Sequence, residues 1–126
     1  MVESFGEAAD RHRKDAKILA KIDRFQNAGH LIGLAAECLA KDILERGGKT
    51  IDRSLRVHFP ELTERIRLAA TGRLARKLQP VLISGFLDGW HVELRYEQDN
   101  LSPAARSQWK KWAHDVDGIF SQAGRP

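Results

Sequence analysis

Apolar and charged positions recur along this chain every three to four residues over most of its length, the period of amphipathic helices. From Phe5 to Asp23, apolar or small residues fall at Phe5, Ala8, Ala9, Ala16, Leu19 and Ile22 while charges fill the other faces, predicting a first helix. A second is predicted from about Phe25 to Arg46. Its centre, Leu31 to Ala40, is apolar nearly all round, as in a helix enclosed by others. Gly47-Gly48 ends it, because glycine accepts the left-handed conformation that closes many helices. Lys49 to Val57 reads as a polar connection, and Pro60 as the first residue of a third helix with Leu62, Ile66 and Ala69 inward. A fourth stretch, about Leu74 to Leu87, contains Pro80 and is expected to kink or divide there. Ser102-Pro103 signals the start of a last helix that buries Ala105, Trp109, Trp112, Val116, Ile119 and Phe120.

Val, Ile and Thr nowhere alternate cleanly at two-residue spacing, so strands have little support. The pattern predicts an all-α protein, an antiparallel four- to five-helix bundle forming a single domain over residues 1–126. That length suffices for a core without disulfides or metal. The one cysteine, Cys38, has no partner in the chain and no zinc-ligand spacing around it, which suits a reducing, cytoplasmic setting; no metal or cofactor is expected. No run approaches the roughly 18 apolar residues of a membrane span, so no membrane association is expected. The net charge of +4 is compatible with anionic partners, but its lysines and arginines are scattered, as on ordinary solvated helix faces.

Two groups of residues stand out. His30, Glu37 and Lys41 are spaced by seven and four, which sets them within about 40° of one another as a polar line on the second helix. The line marks where the helix meets solvent, or where Glu37 meets an arginine from another helix, or a ligand-facing surface. The second group is Trp90-His91-Val92-Glu93-Leu94-Arg95-Tyr96. Aromatic rings around an arginine can stack a base and hold a phosphate. Equally, Trp90 and Tyr96 can be packing residues, with Arg95 paired to a buried carboxylate such as Glu37. There is no glycine-rich phosphate loop, no HExxH and no nucleophile elbow.

The run Ala35-Ala36-Glu37-Cys38-Leu39-Ala40-Lys41-Asp42-Ile43-Leu44 resembles the AAE-x-x-x-K-x-x-L signature on the second helix of HEPN domains. His58-Phe59-Pro60-Glu61-Leu62 is similar to the H-x-x-x-L opening of their third helix, and Arg95-Tyr96 to the pair that precedes their last. The resemblance implies a helical bundle, commonly a homodimer, of prokaryotic toxin–antitoxin and defence systems, often beside a minimal nucleotidyltransferase as partner protein. It also implies that Arg95 and Glu37 lie side by side. Many members are metal-independent ribonucleases in which an arginine and a histidine stand four to six positions apart. Here Arg95 is followed by Tyr96-Glu97-Gln98-Asp99-Asn100-Leu101-Ser102, with no histidine at that spacing. The expected function is therefore non-catalytic binding of a nucleotide, RNA or protein around Arg95, Tyr96, Glu37, Lys41 and Trp90. The alternatives are a ribonuclease toxin that uses Arg95 with His58 or His30, and a structural partner or antitoxin of a nucleotidyltransferase. Arg24 to His30 and Arg53 to His58 also fit the spacing, but thirteen arginines and five histidines make such a coincidence ordinary. His114, which follows Trp112 and precedes Asp115 and Asp117 on the last helix, is expected at the surface.

Overall fold

A computed structural model of the chain describes residues 3–98 and 103–125. Among these the protein is all-α, without a strand. Helix α1 spans Phe5–Lys21, and the Ser4 hydroxyl accepts the Glu7 N–H at its start. It stops at Lys21 rather than Asp23, because Asp23 takes a left-handed φ of 61° and turns the chain into α2, Phe25–Arg46. The short turn makes an antiparallel hairpin. Small residues on α1, Gly6, Ala9 and Ala16, let the two backbones approach closely.

α2 is the central rod, buried from Ala28 to Leu44 on most of its sides. It ends as its glycines predict. Gly48 adopts φ 92°, the Gly48 N–H donates to Glu45 O, and the Lys49 N–H reaches back to Leu44 O. The connection that follows is less polar in effect than it reads. Ile51, Leu55 and Phe59 are buried and anchor it to the core.

α3, Glu61–Ala69, buries Leu62 and Ile66 as expected, with Ala69 half-buried. The predicted fourth stretch divides at the proline into α4, Gly72–Lys77, and α5, Gln79–Leu82. Its helical character ends at Leu82 rather than Leu87, because a series of turns through Gly85 and Gly89, both at positive φ, takes over. A 3-10 helix, Val92–Tyr96, comes next and then α6, Pro103–Gln122, packed along α2. Trp112, Val116, Ile119 and Phe120 of α6 are buried. Ala105 and Trp109, in its early turns, are only half-buried. Ser102 lies outside the described residues.

Ion pairs lace the ends together. Asp117 of α6 receives Arg13 Nη2 at 2.8 Å and Lys17 Nζ at 2.9 Å from α1. Burial alone would raise its pKa, but the hydrogen bonds and charges of Lys17 and Arg13 outweigh that and hold it below the ordinary value. Arg125 pins the C-terminal end against Asp10 at 2.7 Å and Asp42 at 3.4 Å.

Candidate functional site

The polar line of α2 is buried at its centre: His30 is 8% exposed and Glu37 2%. It is therefore not the place where the helix meets solvent. A carboxylate so enclosed needs donors for both oxygens. Glu37 has them from one dipeptide: Oε1 lies 2.8 Å from His58 Nδ1, and Oε2 accepts the Phe59 N–H at 2.8 Å. Phe59 fixes that register, being buried and packed edge-to-face on Phe86 at 5.5 Å. Burial pushes the Glu37 pKa up, against the pull of these hydrogen bonds and the nearby charges of His58 and Lys41. With Glu37 ionised, its carboxylate can only accept, and His58 Nδ1 is then the donor. Nε2 remains on a ring whose side chain is half exposed. The result is an imidazole held in one tautomer by a buried acid, the arrangement that orients histidines in many acid–base sites.

His30 is placed by Trp90. The two rings stack with centroids 6.4 Å apart and planes 8° from parallel. The Trp90 indole N–H donates to Gly29 O at 2.8 Å, and its ring lies against Gly33 so closely that no side chain would fit there. Gly33 thus leaves a slot in α2 for the Trp90 indole, whereas a Cβ at Gly29 would run into the Trp112 ring. His30 Nδ1 is buried without a hydrogen-bond partner. The pKa of His30 is lowered first by burial and then by the charges of Arg95, His12 and His58. His12 of α1 is similar: its Nδ1 is buried and unpartnered, and burial followed by Arg11 lowers its pKa against Asp15. Basic groups from α1, the connection before α3 and the 3-10 helix thus come within electrostatic reach of one buried ring of α2.

Arg95 and Tyr96 stand on the open side. The guanidinium carbon sits 4.8 Å from the Tyr96 ring centroid, and Tyr96 is 75% exposed. The 3-10 helix beneath them is fastened by buried Leu94 and by Gln26 Nε2, which donates to Leu94 O at 3.4 Å.

The expected pairing of Arg95 with Glu37 is corrected by this geometry. Among the described residues, His58 and Phe59 occupy the Glu37 carboxylate, and Arg95 makes no ion pair with it. A dipeptide at the start of α3 satisfies the buried acid locally, leaving the guanidinium to solvent and the tyrosine. Trp90 is a core residue and not a solvent-facing platform, because its indole has its own acceptor in the core. Lys41 is half-buried one turn beyond Glu37. Arg24 and Arg53 are exposed, and neither bonds its spaced histidine; His114 is exposed as expected.

Two contributors were not anticipated: His12, whose helix gave no polar line to mark it, and Gln26, one turn before His30 on the same face of α2. Among the described residues, no group of three or more His, Cys, Asp or Glu side chains could hold a metal ion. No helix there is long and apolar enough to cross a membrane. The Cys38 thiol is half-buried, and burial raises its pKa. Compared with known proteins, the chain matches no family model, no curated protein and no solved structure.

Proposed function

We propose that this chain is a HEPN-like helical module that binds a phosphate-bearing ligand, a nucleotide or single-stranded RNA, at the cluster of His30, His58, Arg95 and Tyr96. The observation that carries the reading is the convergence of basic side chains on His30, a buried ring with an unpartnered nitrogen. Arg95 adds a forked, fully charged donor for phosphate oxygens, and Tyr96 an exposed face for a base. The family reading draws on the order of its residues, Ala35 to Leu44 on the second long helix, His58 just before the third and Arg95-Tyr96 before the last, while the Arg95–Glu37 pairing it implies is not made among the described residues. In that reading the chain acts in the cytoplasm within a stress, defence or toxin–antitoxin system, as a homodimer or beside a nucleotidyltransferase.

Titration of the purified chain with labelled single-stranded RNA and nucleoside triphosphates at two salt concentrations tests this. Binding should weaken at the higher salt, and Arg95→Ala should weaken it without lowering the melting temperature. That side chain is exposed and lies against the Tyr96 ring. Absence of binding to all of these ligands would overturn the reading. A drop in melting temperature for Arg95→Ala would favour the structural-partner alternative.

The Glu37–His58 pair favours a second reading, metal-independent RNA cleavage. His58 Nε2 would take the 2′-hydroxyl proton, and the 2′ oxygen would displace the 5′ oxygen to leave a cyclic phosphate. The 5′ oxygen would leave with a proton from water, and Arg95 would stabilise the charge on phosphorus. Cleavage by an EDTA-treated preparation that disappears in both His58→Ala and Arg95→Ala would establish it.

A further inference from the structure

Beside the 3-10 helix lies a cavity of about 260 Å³ between the start of α2 and the early turns of α6. We infer that it is a nucleobase pocket, holding the base of a ligand whose phosphate meets Arg95 and His30. This rests on the reading of the neighbouring cluster as a phosphate site. Three features of the lining point to a base. Its size falls below the roughly 300–1,000 Å³ usual for drug-sized ligands, which suits one planar ring system and not a whole nucleotide. Its walls include aromatic rings, Phe25 and Trp112, and the Trp112 plane is fixed by an indole N–H donated to Asp88 O at 2.9 Å. Its polar groups include two amides of the kind that read base edges, Gln26 and Gln108, beside His91 and Glu97, which pair with each other at 3.3 Å. Gln108 is half-buried, and its amide has no partner among the described residues; Gln26 spends only its Nε2 on Leu94 O.

The placement relative to the cluster fits a nucleotide. Leu94 and Glu97 line the cavity, so Arg95 and Tyr96 stand between two of its lining residues on a single turn. Gln26 precedes His30 by four residues on one face of α2, about 6 Å along the axis, and Glu37 lies about 16 Å from Gln26. A base beside Gln26 therefore sets its own phosphate near His30 and directs the following nucleotide toward His58.

The test uses the isotope-labelled full chain with nucleosides, 5′-mononucleotides, ribose 5-phosphate and inorganic phosphate as probes. Nucleosides, which carry no phosphate, should shift the side-chain amide signals of Gln26 and Gln108 and the Trp112 indole signal. Mononucleotides should bind about tenfold more tightly than ribose 5-phosphate, an increment within the range of base stacking on aromatic rings. Gln108→Ala should remove most of that advantage while leaving ribose 5-phosphate binding unchanged. Nucleosides that leave all three signals unmoved, or equal affinity for mononucleotides and ribose 5-phosphate, would overturn the base pocket. Failure of the phosphate site looks different: phosphate and ribose 5-phosphate would leave the His30 and His58 ring signals unmoved while nucleosides still shifted the amides.

Discussion

The slot that Gly33 leaves in α2 sets the position of Trp90, and through it of His30, so Gly33→Ala tests fold and site together. A methyl group at Gly33 would lie 1.9 Å from Trp90 Cε2 and 2.2 Å from its Nε1. Ordinary contact begins near 3.4 Å, so the indole must withdraw by about 1.5 Å, since two atoms cannot share that space. Trp90 is 2% exposed, and such a shift carries its N–H out of reach of Gly29 O, now 2.8 Å away. Overpacking costs about 1–3 kcal/mol. Stranding a buried N–H and C=O adds about 1–3 kcal/mol. Alanine recovers about 1 kcal/mol through its better helix propensity. The net expectation is a loss of about 3 kcal/mol, or roughly 10 °C in melting temperature for a domain of this size. Gly118→Ala is the control, because a Cβ there meets nothing within 4 Å and should stabilise α6 by about 0.5–1 kcal/mol. Urea unfolding of the parent and both variants measures the difference. A Gly33→Ala protein as stable as the parent would mean that the indole is not seated in the slot, and the stacked position of His30 would lose its support.

Glu37→Ala should destabilise the fold by about 2–4 kcal/mol, since it strands the Phe59 N–H and opens a cavity in the core. Glu37→Gln keeps an acceptor for Phe59 and should cost less, but its amide N–H₂ forces His58 into the other tautomer. Ring ¹⁵N shifts of His58 report that exchange, and an unchanged spectrum would contradict the assigned hydrogen bond. On acidification, His12 and His30 work against the fold. Their folded pKa values lie below the ordinary 6.5, so the unfolded chain takes up protons that the folded one resists. The stability they contribute is complete above pH 6.5 and is lost as the pH falls below it. Melting temperature should therefore drop between pH 7.5 and 5.5, and drop less in a His12→Gln, His30→Gln double variant; a parent whose melting temperature rises over that interval would refute the assignment.

Much of the fold is legible in the sequence because helix periods and their punctuation are local. The glycine pair after Arg46 and the proline at position 80 act on their own backbone, and the structure ends or divides helices at both. Ile51 and Leu55 read as a loop because they carry no helical period with their neighbours. Their burial depends on where the core lies, which local pattern does not encode. The candidate site divides in the same way. His30 and Glu37 are visible as polar intrusions on an apolar rod, whereas the partner of Glu37 is not. An arginine late in the chain and a histidine just before α3 are equally suitable partners for a buried carboxylate, and only the path of the connection chooses His58.

That choice changes what the site can do. Had Arg95 closed on Glu37, both charges would be spent on holding the bundle in register, and Arg95 would not be open to a ligand. With His58 in that role, the buried acid is satisfied by a group whose side chain is still half exposed, and Arg95 is exposed with its guanidinium against Tyr96. His30 makes the same point from the other direction. Removed from water and within reach of the Arg95 charge, it is held neutral more firmly than a free histidine. An anion arriving beside it would relieve that repulsion and favour its protonation, so ligand binding should tighten on acidification while the fold itself weakens. Opposite pH trends for binding and stability are what a site-bearing cluster requires; a merely structural histidine would give only the second.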